Sequence, residues 1–315
     1  MIFLPKSFIE TTEGLLFAIV AEGLEKGKVR CFLRYVRNEN GQWRKIQTDE
    51  ANNLLTKNHP DYHFYSSEFD ANLHAVSITK ITTLHQPKQR LTQILDNSLR
   101  DEIENDCANL CRLFKQANVD LNHFGVTGSL LIHQQKSSSD IDLVCYDTTT
   151  FHQSRAVVCD LIEQNLLADL NHADWCESYE RRDCDLSFEE YVWHERRKAN
   201  KGLINGRKFD LSLVEPEKMN RATYKKLGKI NLEVKVADAI RAFCYPAEFK
   251  ISHPKIQSVV CFTATYVGQA ENGELIEVSG QLEQDEFGNQ RIVVGSNREA
   301  HGEYIKVLSP SAASF

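Results

Sequence analysis

Asp140 and Asp142 are the residues of this chain whose types and spacing point most directly to chemistry. They stand at the start of an apolar run that is typical of a β-strand, and alternate residues of a strand point to the same side. The two carboxylates therefore project together, while Ile141 and Leu143 face a core. Two like charges this close repel each other unless a cation lies between them, and Mg²⁺ is the hard cation that carboxylates usually bind.

A third carboxylate, Asp210, lies inside a second apolar run, Phe209–Val214. Alternation along a strand places Phe209 and Leu211 on one face and Asp210 on the other. An acidic residue in a short buried strand is costly unless its charge is compensated. Asp210 is therefore the natural third carboxylate of the same site.

The pair Gly128-Ser129, followed after ten residues by Asp140-x-Asp142, resembles the signature of the polymerase-β-type nucleotidyltransferase superfamily. The resemblance implies that Gly128 lets the backbone approach the β- and γ-phosphates of a nucleoside triphosphate. It implies that Ser129 donates a hydrogen bond there, helped by the start of the following helix. It further implies that Asp140, Asp142 and Asp210 hold two Mg²⁺ ions, with Mn²⁺ as a substitute, and that Asp210 helps to deprotonate the attacking hydroxyl.

Two other stretches bear on this resemblance. The segment after Ser129 is Leu130-Leu131-Ile132-His133, where many members of the superfamily have a small residue followed by Arg or another polar residue. We therefore expect fewer polar phosphate contacts from this turn. The stretches GLLFAIV, CDLSFEEYVWHERRKANKG and VVGSNREAHGEYIKV also resemble a little-studied family of predicted nucleotidyltransferases, over nearly the whole chain.

Eight basic residues precede or begin the strand that carries Asp210. They are Arg181, Arg182, Arg196, Arg197, Lys198, Lys201, Arg207 and Lys208. A charge run of this kind is usually a solvated helix face. Its position beside Asp210 favours a second interpretation, in which some of these cations bind a triphosphate. In that interpretation we assign Arg197, Lys201 and Lys208 to the nucleotide.

The distribution of apolar residues predicts an α+β protein of three parts. Residues 1–85 are typical of a small β-rich module, and residues 86–225 of a nucleotidyltransferase (polymerase-β-like) domain with a mixed sheet and helices. Residues 226–315 are typical of a small OB-like β-barrel. Helices are predicted from Lys88 to Gln116, from about Thr150 to Leu170, and around Val236 to Phe243.

Composition and charge limit the class of protein. The formal net charge is −7, which does not suggest a chain that coats long nucleic acid through its overall charge. The nine cysteines contain no Cys-x-x-Cys pair, so we expect reduced thiols. No apolar run approaches the ~20 residues of a membrane span, and the amino terminus is not a convincing signal peptide. We therefore expect a cytoplasmic protein that binds no membrane.

Together these features predict a metal-dependent nucleotidyltransferase that moves NMP from an NTP to an acceptor hydroxyl and releases pyrophosphate. RNA, for instance a tRNA end, is the expected acceptor, with the C-terminal barrel binding it. A second interpretation is the same chemistry on a protein or a small molecule, which the net acidity favours mildly. A third is a non-catalytic protein on this fold that binds a nucleic acid or another partner, and the presence of all three aspartates argues against it.

Overall fold

A computed structural model of the chain describes residues 2–182, 184–215, 222–297 and 300–308. The expected α+β class is confirmed, since several sheets occur together with α-helices. The chain divides into two compact units. One combines Met1–Ser66, Asn72–Asp169 and Asn200–Met219, and the other combines Ser67–Ala71, Leu170–Ala199 and Asn220–Phe315. The predicted boundaries after residues 85 and 225 stay a prediction.

The first unit begins with a seven-stranded sheet. Its elements are β1 (Phe8–Thr11), β2 (Leu15–Glu25), β3 (Lys28–Arg37), β4 (Trp43–Lys45), helix α1 (Thr48–Asn58), β5 (His63–Ser66), β6 (Ala71–Ser77) and β7 (Ile81–His85). The strand order is β5-β6-β3-β2-β1-β7, with β4 paired to β3. Phe17, Ile19 and Leu33 from the two longest strands are buried in its core. Residues 1–85 are therefore rich in β-strands, as expected.

Two helices, α2 (Pro87–Asp96) and α3 (Glu102–Gln116), replace the single helix predicted from Lys88 to Gln116. Polar side chains stop the first helix and start the second. The Asn97 side chain binds both the N–H and the C=O of Leu99, at 3.0 and 2.6 Å. The Asp101 carboxylate accepts a hydrogen bond of 2.8 Å from the Glu104 N–H and caps α3. Side chains of this kind compete with the hydrogen bonds of the helical backbone. The apolar period alone therefore does not predict whether this stretch forms one helix or two.

A four-stranded sheet lies at the centre of the first unit. It is built from β8 (Phe124–Val126), the one-turn helix α4 (Gly128–Leu131), β9 (Ile141–Cys145), helix α5 (Thr148–Glu163), β10 (Lys201–Ile204) and β11 (Arg207–Leu213). The order is β10-β11-β9-β8, in which β9 and β11 are parallel and the other pairs are antiparallel. The helix predicted from about Thr150 to Leu170 is α5, which ends at Glu163.

The second unit contains helices α6 (His172–Glu180) and α7 (Phe188–Arg197) and six strands. The strands are β12 (Tyr224–Arg241), β13 (Ala247–Ile251), β14 (Ile256–Cys261), β15 (Leu275–Asp285), β16 (Gln290–Val294) and β17 (Tyr304–Val307). Their order is β12-β13-β14-β16-β15-β17, and β12 also pairs with β15. Strand β12 therefore pairs with two strands, β13 and β15.

The helix predicted around Val236 to Phe243 is wrong, because most of this segment belongs to the long strand β12. Val234 and Val236 are buried, whereas Lys235 and Ala237 between and after them are exposed. This alternation has the period of a strand. Antiparallel pairing of β12 with β13, at Val236, Asp238 and Arg241, binds the backbone of this segment and overrides the local apolar pattern.

Within the described ranges, no helix is both long and apolar enough to cross a membrane. None of the nine cysteines, all of which lie in the described ranges, forms a disulfide bond.

Candidate active site

Asp142 and Asp210 lie opposite each other on neighbouring parallel strands. The register pairs Asp210 of β11 with Asp142 of β9, and Leu211 with Leu143. Both leucines are buried, and both aspartates are partly exposed on the other face. Neighbouring strands are ~4.8 Å apart, so the register brings the two carboxylates to one place. Asp140, one residue before β9, is also partly buried.

The Gly128-Ser129 turn lies against the Asp142 carboxylate. Gly128 has a φ of +65°, and a Cβ added to it would come within 2.4 Å of Asp142 Oδ2. Thr127 N–H also donates to the Asp142 carbonyl at 2.9 Å. Only glycine allows both this backbone conformation and this close approach. The turn and the first carboxylate, separated in sequence, therefore belong to one site.

A buried arginine, Arg90, contacts the short helix α4 that contains Gly128-Ser129. Arg90 Nε donates to the carbonyl of Leu130 in α4 at 2.9 Å, and its guanidinium forms an ion pair with Glu104. The helix itself is one turn of four residues. Its aligned peptide dipoles are few, so the expected help from a helix start at the phosphates is small. The turn is positioned mainly by its contacts with Arg90 and Asp142.

The polar turn before Asp140 is also fixed, by Arg207. Its Nη1 donates to the carbonyls of Ser137 and Ser139, at 2.7 and 3.0 Å, and its Nε donates to Asp106 Oδ2 at 2.7 Å. The Arg207 side chain is only 9% exposed. Among the eight basic residues, Arg207 thus positions the segment that leads to Asp140 and is already engaged with a carboxylate.

Asp210 has two close polar neighbours. Lys201 lies opposite it on β10, with its Nζ 3.1 Å from Asp210 Oδ2. Asn200 Nδ2 lies 3.2 Å from Asp210 Oδ1 and 2.9 Å from the Leu211 carbonyl. The assigned nucleotide ligand Lys201 therefore contacts the third carboxylate of the site.

The pairing of Lys201 with Asp210 follows from a tight hairpin. Asn205 and Gly206 have φ values of +50° and +79°, and the strands on either side start with the pair Ile204 and Arg207. A two-residue turn with two left-handed residues is the common connection for antiparallel strands, and Asn-Gly is its favoured sequence. Counting outward from it puts Lys201 opposite Asp210.

The other assigned nucleotide ligands are placed as follows. Ser129 is the second residue of α4, where its carbonyl accepts a hydrogen bond of 2.9 Å from Gln134 N–H. Lys208 lies on β11 two residues before Asp210, on the same face by alternation. Arg197 lies in the second unit, where its Nη2 is 2.7 Å from Glu274 and its guanidinium stacks on Trp193. Binding of nucleotide by these residues stays a prediction.

Two residues lie at the site that the sequence did not single out, and one of them, Tyr35, comes from the N-terminal sheet. Thr127, next to Gly128, donates through its hydroxyl to the Lys6 carbonyl at 2.6 Å. Tyr35 packs with Leu131 and Ile132 behind the Gly-Ser turn. Burial raises the pKa of the Tyr35 hydroxyl, and the Asp142 charge raises it further. No short motif links β3 to the turn, so only the tertiary fold reveals this wall of the site.

The aspartate oxygens are of the type that a hard cation prefers as ligands. Their arrangement fits a cation site only in part. Carboxylate oxygens are the ligands that Mg²⁺ and Mn²⁺ prefer, and Asp142 and Asp210 are in register. In the part of the chain that the structure describes, however, no group of three or more His, Cys, Asp or Glu side chains is arranged to hold a metal ion. A divalent cation on these aspartates remains a proposal.

Comparison with known proteins shows the family of the chain. No family model matches the sequence, and no solved structure matches it. Uncharacterized protein MJ1086 of Methanocaldococcus jannaschii is 34% identical over 334 aligned residues, which cover 96% of this chain and 98% of that protein. Similarity at this level extends over both chains nearly from end to end. The chain belongs to the same family as this archaeal protein.

Proposed function

We propose that the protein transfers a nucleotidyl group from a nucleoside triphosphate to an acceptor hydroxyl and releases pyrophosphate. The observation that carries the proposal is the contact between Gly128 and the Asp142 carboxylate, with Asp210 in register beside it. A glycine turn that admits a phosphate chain next to paired carboxylates is the arrangement that the superfamily resemblance implies. Sequence spacing and three-dimensional proximity support the same chemistry.

In this reaction the acceptor oxygen forms a bond to the α-phosphorus of the triphosphate. The bond between the α-phosphorus and the bridging oxygen to the β-phosphorus breaks, and its electron pair leaves with pyrophosphate. The acceptor hydroxyl gives its proton to Asp210, in the role that the resemblance implies. Most of the protein's contribution is positioning and charge compensation.

The residues divide these tasks. The backbone at Gly128 and the Ser129 hydroxyl would receive the β- and γ-phosphates, and Lys208 would add positive charge from β11. Asp140 and Asp142, with Asp210 as the third carboxylate, would hold Mg²⁺ or Mn²⁺. When bound, the cation supplies positive charge against the phosphates.

RNA, including a tRNA end, is the proposed acceptor, and the second unit is its proposed binding module. The proposal of an OB-like barrel in residues 226–315 is supported by the pairing of β12 with both β13 and β15, which joins the ends of a five-strand row. Small barrels of this type commonly bind nucleic acid strands.

The decisive experiment is transfer of label from each of the four α-³²P-labelled triphosphates, with Mg²⁺ or Mn²⁺, to total RNA or to cell protein. We expect label in RNA. The Asp142→Asn variant should lose about a thousandfold in rate, because it removes one of the paired carboxylates. Asp160→Asn, at an exposed position of α5, is the matched control and should retain full activity.

Each other outcome has a definite meaning. Label in protein supports nucleotidylation of a protein in place of RNA. No label in any fraction, with a folded protein, contradicts the enzyme proposal and favours a non-catalytic binding protein. Equal activity of Asp142→Asn and the wild type removes these carboxylates from the mechanism.

A further inference from the structure

The Gly-Ser turn of the candidate site contains no basic side chain of its own. The residues after Ser129, which are Leu130, Leu131 and Ile132, are at most 4% exposed and belong to the core. A triphosphate bound at this turn carries several negative charges, and cationic donors are the groups that bind phosphate oxygens most strongly. Side chains of the N-terminal sheet pack behind the turn, so basic residues from that part of the chain are the nearest source of such donors.

Lys6 contacts the residue that precedes Gly128. The Thr127 hydroxyl donates to the Lys6 carbonyl at 2.6 Å. Lys6 occupies the third position of a turn in which Ser7 N–H donates to the Leu4 carbonyl at 3.2 Å, and its φ is +72°. Proline at the second position and a positive φ at the third are the features of a type II turn, which favours glycine or asparagine at the third position. A lysine there is energetically unfavourable, and such residues are concentrated at functional sites.

Arg34 lies on the face of the N-terminal sheet that packs behind the turn. Leu16 of β2 pairs with Tyr35 and Phe17 pairs with Leu33, so Arg34 is the extra residue of a β-bulge. The bulge changes the alternation, because Leu33 packs in the core of the sheet whereas Tyr35 packs behind the Gly-Ser turn. Since Arg34 follows Leu33, its side chain projects to the opposite face, which is the face of Tyr35. Bulges next to active sites commonly redirect a side chain in this way.

The electrostatics of Tyr35 agree with this placement. Burial raises the pKa of the Tyr35 hydroxyl, the Arg34 charge lowers it, and the Asp142 charge raises it. The guanidinium and the first carboxylate of the site therefore act on the same hydroxyl group. Arg34 thus lies within electrostatic reach of the group that stands between the N-terminal sheet and the site.

Both cations are open to a ligand. Lys6 and Arg34 are partly exposed. Another arginine of β3, Arg37, forms an ion pair of 2.8 Å with Glu10. Among the residues that the structure describes, Lys6 and Arg34 form no such pair. The Lys6 ammonium stands on a flexible four-carbon stem, so it can reach phosphates at the neighbouring turn.

We propose that Lys6 and Arg34, both from the N-terminal part of the chain, bind the β- and γ-phosphates of the triphosphate at the Gly128-Ser129 turn. This inference rests on the proposed function and deepens it, because it names the side chains that recognise the phosphate chain. Lysine provides a compact charge with three donors, and arginine provides a planar fork that binds two phosphate oxygens. The two residues add to the charge proposed for Lys208, and the N-terminal module becomes part of the nucleotide site.

The test compares the affinity of variants for phosphate chains of different length. Each of the four nucleoside triphosphates and its monophosphate is titrated into the full-length protein with Mg²⁺ by isothermal titration calorimetry. Lys6→Asn and Arg34→Gln should each weaken binding of the preferred triphosphate roughly tenfold, because a charge-assisted hydrogen bond is lost. Binding of the monophosphate should not change, because the monophosphate lacks the outer phosphates.

Two control variants match these substitutions. Lys26→Asn also replaces a lysine with a positive φ, here +51°, and it lies at the exposed turn between β2 and β3. Arg44→Gln replaces an exposed arginine of β4 that is in register with Val36, a residue of the sheet core. Both controls should bind the triphosphate as the wild type does.

The choice of replacements protects the test against misfolding. Asparagine tolerates a positive φ, so Lys6→Asn removes the charge without a new backbone conflict. Arg34→Lys keeps the positive charge and should lose less affinity than Arg34→Gln, because only the planar fork is lost. Urea unfolding of each variant confirms that the folded protein is compared.

The outcomes separate this inference from the proposed function. Folded Lys6→Asn and Arg34→Gln variants that bind the triphosphate as the wild type does overturn the inference, and label transfer by the wild type still stands. Equal weakening of triphosphate and monophosphate binding also overturns it, because the two cations would then not recognise the outer phosphates. A wild type that binds no triphosphate and transfers no label overturns both.

Discussion

Two lysine–carboxylate pairs lie within sixteen residues of each other, and they occupy very different surroundings. Lys198 pairs with Glu195 at the end of α7, where the two side chains are 2% and 3% exposed. Lys201 pairs with Asp210 on the central sheet of the other unit, where the side chains are 14% and 33% exposed. One pair is closed to solvent and the other is open to it.

The difference separates an ion pair that is enclosed by protein from one that a ligand can reach. Lys198 Nζ also donates to the Thr265 carbonyl at 2.6 Å, so its donors are used within the second unit. Charges removed from water must be fully paired, and such a pair offers nothing to a ligand. Asp210 keeps a third of its surface accessible, which a substrate or cation requires. Burial, and not the charge run itself, assigns the role of each lysine.

The largest expected effect on stability comes from removing Lys198, the cationic partner in the buried pair. Lys198→Ala should destabilise the protein by about 3–5 kcal/mol, because it removes the cationic partner of a carboxylate that is only 3% exposed. Lys201→Ala should cost less than about 1 kcal/mol, because its partner is open to water. Urea unfolding followed by tryptophan fluorescence measures both, because Trp43 lies in the first unit and Trp175 and Trp193 lie in the second.

The paired replacement Glu195→Gln with Lys198→Met sharpens this comparison. Removing both charges leaves no buried ion, so much of the lost stability should return. Equal destabilisation by Lys198→Ala and Lys201→Ala would contradict the distinction between the two pairs.

A second effect concerns pH and is expected at the buried residue His194. Burial lowers the pKa of His194 to about 4, and its neutral Nε2 accepts from Val307 N–H at 3.1 Å. The unfolded chain binds a proton at about pH 6.5 and the folded unit does not. Stability is therefore complete above about pH 6.5 and falls as the pH decreases toward 4. The total loss should be about 3 kcal/mol, measured as the change in urea midpoint with pH.

His194→Gln is the control for this pH dependence. The neutral amide does not titrate, so the slope of stability against pH between about 6.5 and 4 should decrease when the same tryptophan signal is followed. An unchanged slope would assign the effect to other groups. Among the charges around His194, Glu190 acts in the same direction at the acidic end of this range, because its pKa is lowered in the folded unit and its contribution is lost as the pH falls below about 4.5.

The smallest expected effects on stability come from two glycines of the first unit, Gly128 and Gly206. Their replacements should differ greatly in their effect on activity. Gly128→Ala places a Cβ at 2.4 Å from Asp142 Oδ2, so the carboxylate must move and transfer should fall roughly a hundredfold. Gly206→Ala meets the same left-handed strain, with no atom within 4 Å of the new Cβ. It should cost about 1 kcal/mol in unfolding and leave transfer unchanged. Equal activity of the two variants would separate Gly128 from the site.

Much of the candidate site was predictable because its signals are local. Alternation along β9 and β11 correctly placed Asp142 and Asp210 on the faces opposite the buried leucines. The Asn205-Gly206 turn was also visible, and counting outward from it would have paired Lys201 with Asp210. The basic segment was instead treated as one charged stretch. That treatment missed the hairpin and the roles of Arg207 and Lys198, which depend on partners distant in sequence.

The helix expected around Val236 failed for the same physical reason. An apolar period in a short segment is a weak preference, and pairing with β13 supplies backbone hydrogen bonds that override it. The long helix from Lys88 failed differently. Its apolar period is real, but Asn97 and Asp101 redirect the backbone locally and divide it into α2 and α3.

By itself, the sequence determined the α+β class and the strand faces of Asp142 and Asp210, because these depend on residue type and on a period of two. Only the tertiary structure decided which cation meets which carboxylate, that the N-terminal sheet packs behind the turn through Tyr35, and that Lys198 is enclosed. Those outcomes depend on strand register and burial between segments far apart in the chain. Local propensities do not encode such pairings, and the energy of charged groups changes most with their distance from water.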